Sequence, residues 1–179
     1  MRVITGTAKG KPLKTLLRNG DTRPTTDKVK EAMFSAVQFE VEGAVILDLF
    51  AGSGQLGIEA LSRGASIAYF ADNNAKAIAV IRDNLEYTRL ADRARVDRLP
   101  YNAFLRLLDN KADIAFIDPP YGKRLIEKVL PLLIPCMNPD GIIICEHEKD
   151  LRLPENIGGF TVTNAYEYGT INVTIFRSN

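Results

Sequence analysis

From residue 44 to residue 148, short apolar runs alternate with stretches whose apolar residues recur every three or four positions. This alternation restricts the fold more than any other feature, because two parallel strands must be joined by a crossover, usually a helix. AVILDLF, SIAYFAD, RARVDRL, ADIAFID and GIIICEHE read as strands, AVILDLF buried and RARVDRL the weakest. QLGIEALSRG, NAKAIAVIRDNLEYTRL, NAFLRLLDN and KRLIEKVLPLLIPCM read as the intervening helices, with Ile78, Ile81 and Leu85 on one face of the second. Pro131 and Pro135 are expected to break the last helix into pieces. The order predicts an α/β fold with a mostly parallel, doubly wound sheet. FTVTNAYEYG and TINVTIFRS carry no helical pattern and predict a C-terminal hairpin that adds antiparallel strands.

Ahead of this region the pattern differs. The first 20 residues alternate apolar and polar positions around Gly6, Gly10 and Gly20, as short strands or a hairpin would. In DTRPTTDKVKEAMFSAV, Thr25 or Thr26 can cap a helix and Asp27 complements its positive end. Val29, Met33, Phe34 and Val37 form the apolar stripe of that helix. The 179 residues fit one domain, divided into a basic N-terminal extension (1–22) and a core (23–179). MRVITGTAKGKP lacks the apolar segment of a signal peptide, and no window approaches the roughly 18 apolar residues of a membrane span. Cys136 and Cys145 both lie in apolar runs and make neither a disulfide framework nor a metal site. A reducing cytoplasmic location is expected.

The net charge of +1 conceals an asymmetry. Residues 1–30 hold eight basic residues against Asp21 and Asp27, whereas the remaining 149 hold 15 basic and 20 acidic residues. A basic arm on a mildly acidic body suggests a polyanionic partner, with a solvated lysine-rich surface as the alternative.

Doubly wound sheets bind ligands beyond the carboxyl ends of their strands. Asp48, Asp72 and Asp118 each fall at the end of a predicted strand, which places three carboxylates on one rim. DLFAGSGQLG contains Gly52-x-Gly54-x-x-Gly57. Alone this pattern fits a dinucleotide site, a flavin site or a tight strand-to-helix turn. Asp48, four residues before Gly52, would repel a pyrophosphate and suits a cationic amino group. Asp72, 18 residues past Gly54, stands where an acid can accept both ribose hydroxyls, or can cap the helix near Asn74. An amino group and a ribose without phosphate describe S-adenosylmethionine.

FIDPPYGK follows the fourth strand. Behind Asp118, Pro119 and Pro120 fix the backbone so that its carbonyls point in set directions, and Tyr121 offers a face for a base. A strand-end Asp-Pro-Pro-Tyr after a nucleoside loop resembles the amino-methyltransferases that act on exocyclic base amines. MRVITG, GKPLKT, DTRPTTDKVKEAMF, LDLFAGSGQLGIEALSRGA, FIDPPYGK and YGTINVTIF together resemble the RsmD family of 16S ribosomal RNA guanine-N2 methyltransferases. The resemblance runs from residue 1 to the final strand, and DTRPTTDKVKEAMF is its most discriminating piece.

It implies a Rossmann-like fold with a small N-terminal hairpin, S-adenosylmethionine as cofactor and S-adenosylhomocysteine as product. The implied partner is 16S rRNA within the small ribosomal subunit, with no membrane partner and a monomeric protein. Carried onto this chain, the catalytic positions are Asp118, Pro119, Pro120 and Tyr121. The cofactor positions are Asp48, Phe50, Gly52, Gly54, Asp72, Asn73 and Thr26, and the RNA-binding positions are Arg2, Lys9, Lys11, Lys14, Arg18 and Arg23. One departure concerns the third strand, which in the family ends in an acid or amide that binds the adenine amine. Here Pro100 occupies that slot, with Asp97 too early and Asn102 late, so the adenine contact is unassigned. Rival readings are a DNA amino-methyltransferase, a non-catalytic RNA-binding assembly factor and an NAD-dependent dehydrogenase.

Overall fold

The computed structural model describes residues 1–16, 27–109 and 111–178. Its strands are β1 (Val45–Leu49), β2 (Ile67–Ala71), β3 (Ala94–Asp97), β4 (Ala112–Ile117), β5 (Met137–Glu148), β6 (Asn156–Ile157), β7 (Phe160–Tyr168) and β8 (Ile171–Ser178). Among the described residues they form one sheet in the order β3-β2-β1-β4-β5-β8-β7-β6. β1 through β5 pair in parallel, and β8, β7 and β6 continue the sheet antiparallel. The alternating part of the sequence therefore makes the parallel sheet, and the C-terminal pair makes the antiparallel extension.

Strand alternation sorts the apolar residues into two cores. Ile46, Phe70, Phe116 and Ile144 pack with α1 (Asp27–Ser35), α2 (Gln55–Ser62) and α3 (Ala75–Thr88). Leu47, Leu49, Tyr69, Ala115 and Ile117 pack with α4 (Tyr101–Leu107) and α5 (Leu125–Leu133). Val29, Met33, Phe34 and Val37 are buried as their spacing predicts, and so are Ile78, Ile81 and Leu85. The strand order reverses between β1 and β4. Leu49 is level with both Ala71 and Ile117, and Ala71 is level with Asp97. The residues that follow these strands therefore emerge on one rim.

Three local expectations change. Pro131 lies inside α5 instead of breaking it. It is exposed and sits in the last turns, where the lost hydrogen bond is on the solvent side, and Pro135 opens the next 3-10 turn (Ile134–Cys136). The N-terminal hairpin is reduced, among the described residues, to one antiparallel bridge, Arg2 to Pro12, flanked by hydrogen bonds from Val3 N–H to the Lys11 carbonyl at 3.0 Å and from Leu13 N–H to the Met1 carbonyl at 3.2 Å. His147 follows the apolar run of GIIICEHE and by sequence reads as a surface residue at a strand end, yet it is 3% exposed, and its Nε2 lies 2.9 Å from Thr174 Oγ1 on β8. Burial lowers its pKa.

The N-terminal segment is held by a buried carboxylate. Glu59 on α2 accepts the N–H groups of Ile4 (2.8 Å) and Thr5 (3.0 Å) and pairs with Lys30 of α1 (3.2 Å) and with Arg63 (2.9 Å). The side chains of Glu59 and Lys30 are wholly buried, and Lys30 also donates to the Arg2 carbonyl at 2.6 Å. Burial lowers the Lys30 pKa and Glu59 opposes that shift. Gly6 takes φ +85°, and a Cβ there would stand 1.7 Å from the Ser62 carbonyl oxygen, so the turn rests directly on the end of α2.

Removing one member of a buried ion pair leaves the other uncompensated, which typically costs about 3–5 kcal/mol. Glu59→Ala strands Lys30 and two N–H groups and should lose about that much stability in urea unfolding. Lys30→Met leaves Glu59 with Arg63 and both N–H donors, so its loss should be smaller, about 1–3 kcal/mol. Equal losses would contradict this arrangement.

Candidate active site

The loop after β1 turns sharply. Phe50, Gly52 and Gly54 take φ values of 63°, 57° and 75°, and Gly54 opens α2. A non-glycine residue at positive φ is uncommon and collects at functional sites. Gly57 serves close packing, because a Cβ there would lie 2.3 Å from the Phe70 ring. Gly54 has a similar limit, with Ile81 and Phe70 atoms 3.2–3.3 Å from its would-be Cβ.

Beyond this loop lies a cavity of about 590 Å³, within the usual range for small-molecule sites. Phe50, Ala51 and Gly52 line one side, and Asp72 and Asn73 continue the wall from the end of β2. Leu99, Pro100 and Tyr101 close the β3 side, while Asp118, Pro119, Pro120 and Tyr121 close the β4 side. Met1, Thr15 and Leu16 contribute to the lining from the N-terminal segment. Asn84 of α3 anchors that segment, accepting from Lys14 N–H and donating to the carbonyls of Lys14 and Ser53.

Asp72 is 8% exposed. Its Oδ2 accepts from Gly52 N–H at 3.0 Å and its Oδ1 from Asn74 N–H at 2.8 Å. Each carboxylate oxygen still has a second lone pair for a hydroxyl donor. Asn74 itself caps α3 through its side chain on Lys76 N–H, so Asp72 ties loop to helix without serving as the cap. A ribose diol fits this donor-seeking, phosphate-repelling rim.

Asp48 behaves differently from the expectation that it joins the rim. It lies within β1, level with Phe70 and Phe116, so its side chain follows theirs onto the α1–α3 side of the sheet. There Oδ2 accepts Gly57 N–H at 2.9 Å, and Asp48 is not among the cavity-lining residues. Burial, with Asp72 adding to it and the Gly57 hydrogen bond opposing it, pushes its carboxyl from 3.8 up to about 7. Two strand-end carboxylates, Asp72 and Asp118, remain on the rim. Gly54 also lies behind the cavity wall.

On the β4 side, Asp118 is half-buried and Pro119 buried. Tyr121, 39% exposed, donates its hydroxyl to Glu146 Oε1 at 2.8 Å, and Glu146 is 2% exposed on β5. Burial and the neighbouring carboxylates push the Tyr121 pKa upward, so it stays a donor. Gly122 N–H donates to Glu148 Oε1 at 3.0 Å. The aromatic face thus has a fixed orientation. Sequence reasoning left Glu146 without a role; its two-residue spacing from Glu148 on one strand was the available signal. Tyr101, which pairs with Phe50 at 5.4 Å between ring centroids, was likewise unassigned.

Of the basic positions, Lys9 is exposed. Arg2 lies 3.7 Å from Asp27, and Lys14 Nζ lies 2.7 Å from Asp83. Lys11 Nζ donates to the carbonyls of Tyr87 and Thr88 and stands 5.6 Å from the Tyr87 ring centroid. Lys30, counted in the basic arm, is buried on Glu59 and belongs to the core. Arg18, Arg23 and Thr26 lie outside the described residues. No helix among the described residues is long and apolar enough to cross a membrane.

The parallel sheet with its antiparallel end, the glycine loop and the strand-end acids define the fold of the S-adenosylmethionine-dependent methyltransferases. The chain belongs to the family described as Conserved hypothetical protein 95, the RsmD family, whose model matches residues 1–177. It is 36% identical over 187 residues to Ribosomal RNA small subunit methyltransferase D of Haemophilus influenzae, covering 99% of this chain and 94% of the relative. It is 39% identical over 182 residues to YlbH of Bacillus subtilis, provisionally assigned as an rRNA methyltransferase, covering 99% of this chain and 98% of that one. The solved structure of yhhF from Escherichia coli, provisionally assigned as a methyltransferase, superposes with a TM-score of 0.86 at 29% identity, covering 100% and 98% of the two chains.

The Asp48 carboxyl yields a pH prediction. Because folding raises its pKa from 3.8 to about 7, the folded chain binds a proton that the unfolded chain has released across that interval. Its contribution to stability is therefore greatest below about pH 4, falls as pH rises to about 7, and stays low above that. Asp48→Asn keeps an acceptor for Gly57 and removes the titration. Urea unfolding should show the variant gaining on the wild type between about pH 4 and pH 7 and no further above that, and parallel pH profiles would refute the assignment.

Proposed function

We propose that the chain transfers a methyl group from S-adenosylmethionine to the exocyclic N2 amine of a guanine in 16S rRNA, presented by the small ribosomal subunit. Guanine 966 is the position that the family resemblance names. The observation that carries the reading is the placement of Asp118-Pro119-Pro120-Tyr121 on the same cavity as Asp72, at the reversal of strand order. Bound there, S-adenosylmethionine supplies an electrophilic methyl group on a sulfonium.

The chain's own residues do the rest. Asp72 accepts the ribose hydroxyls, and the glycine loop lets the backbone approach closely. A guanine amine is a poor nucleophile because its lone pair is delocalised into the ring. Asp118 and the Pro119 carbonyl hold the two amine hydrogens and turn the lone pair toward the methyl group. The proline-fixed backbone supplies that geometry with little entropy left to lose. Tyr121, braced by Glu146, gives the base turned out of its stack a surface worth about 1–3 kcal/mol. As the N–C bond forms and the S–C bond breaks, the sulfonium charge is neutralised. The methylated ammonium is acidic enough to lose its proton afterwards, so no base has to remove it beforehand.

The two relatives, one named as an rRNA methyltransferase and the other provisionally assigned as one, support RNA as the substrate. The basic N-terminal segment supports it too. Arg2, Lys9, Lys11 and Lys14, with Arg18 and Arg23, flank a segment that also lines the cavity through Met1, Thr15 and Leu16. The partners of Arg2, Lys11 and Lys14 are exposed carboxylates and helix-end carbonyls, weak contacts that a phosphate can replace.

The decisive experiment offers labelled S-adenosylmethionine with undermodified small subunits, naked rRNA and DNA, followed by nucleoside mass spectrometry. N2-methylguanosine formed on subunits is expected, and N6-methyladenine in DNA would overturn the reading. Asp118→Ala should lower turnover at least about 100-fold, the scale of removing one well-placed polar group, with cofactor affinity within about threefold of wild type. RNA binding should weaken steeply with salt, and each lysine or arginine removed should reduce the log–log slope by roughly 0.7–0.9. Salt-insensitive binding would exclude the basic segment as the RNA surface.

A further inference from the structure

We infer that the adenine of the bound cofactor is held by an apolar and aromatic wall, Leu99, Pro100 and Tyr101 with Phe50, and that no carboxylate among the described residues reads its 6-amino group. This rests on the cofactor reading above. Placing the ribose at Asp72 and the methyl group near Asp118 fixes the direction of the ligand. In the order β3-β2-β1-β4, Asp118 follows β4, so the base must extend past Asp72 over the end of β3.

The cavity presents Leu99, Pro100 and Tyr101 there. The carboxylates among the lining residues are Asp72 and Asp118, both committed elsewhere. Asp97 is the last residue of β3, and its Oδ2 accepts Arg95 Nε at 3.0 Å. The Asn102 side chain folds back to accept its neighbour's N–H at 2.9 Å. Neither residue lines the cavity. The Phe50 and Tyr101 rings, tilted by 44°, both do, and Pro100 fixes the entry of Tyr101 into α4. An aromatic wall attracts any purine face and is nearly indifferent to the 6-substituent. Asn73 on the same rim offers only a neutral amide.

Titration calorimetry on the full chain, with S-adenosylhomocysteine and its analogue bearing hydrogen in place of the 6-amino group, tests this. A carboxylate acceptor would make the analogue bind on the order of 10- to 150-fold more weakly. The inference expects a loss below about tenfold, and a larger loss overturns it. Tyr101→Ala should weaken both ligands about fivefold or more by the same factor, while Tyr101→Phe retains wild-type binding. Unchanged affinity in Tyr101→Ala, or a loss confined to one ligand, would also overturn it. If the wild type binds neither ligand, the cofactor reading itself is lost, an outcome separate from a large ratio between them.

Discussion

Everything at the site depends on one alignment: Leu49 lies level with Ala71 on one side and Ile117 on the other. Parallel pairing in this register brings Phe50, Asp72 and Asp118, 68 positions apart at the extremes, to the same edge of the sheet. A slip of one residue in β4 would turn Asp118 to the opposite face and bury the wrong half of ADIAFI. The apolar alternation prevents that slip, because both faces of the central strands are covered and each face has its own core. The chemistry is thus held in place by hydrophobic patterning far more than by polar contacts within the cavity.

A second constraint operates at the back of α2. Glu59 fastens the N-terminal segment, α1 and α2 to one another through charged and backbone partners. The segment so fastened runs on to Thr15 and Leu16 at the cavity. The charge cluster therefore helps shape the cavity wall, by fixing where the chain must pass.

Much of this was legible in the sequence. The helix–strand alternation, the C-terminal hairpin, the apolar stripes of α1 and α3, and the family all follow from local pattern or from motifs. What was hidden depended on distant partners or on a single-residue boundary. Asp48 and Asp118 both read as strand-end acids, yet Asp48 is followed by one more paired residue and so points inward. Lys30 reads as one more cation in a basic run, because its partner Glu59 lies 29 positions away. His147 reads as a surface residue until β8 covers it. Pro131 reads as a breaker, but the rule concerns helix interiors with a buried hydrogen-bonded face, and its own face is solvated.

The two ends of the sheet carry a consequence of their own. β3 has four residues, two of its neighbours on the chain being arginines, and β6 has only two residues. Exposed strand edges are templates on which other chains can add, and short or charged edges suppress that. β6 pairs only Phe160 and Thr161 of β7, so among the described residues the outer edge of β7 from Thr163 to Tyr168 has no strand beside it, whereas short β3 leaves only four residues at the other end. Strand addition by another chain is therefore disfavoured at the β3 end and left open along the far side of β7.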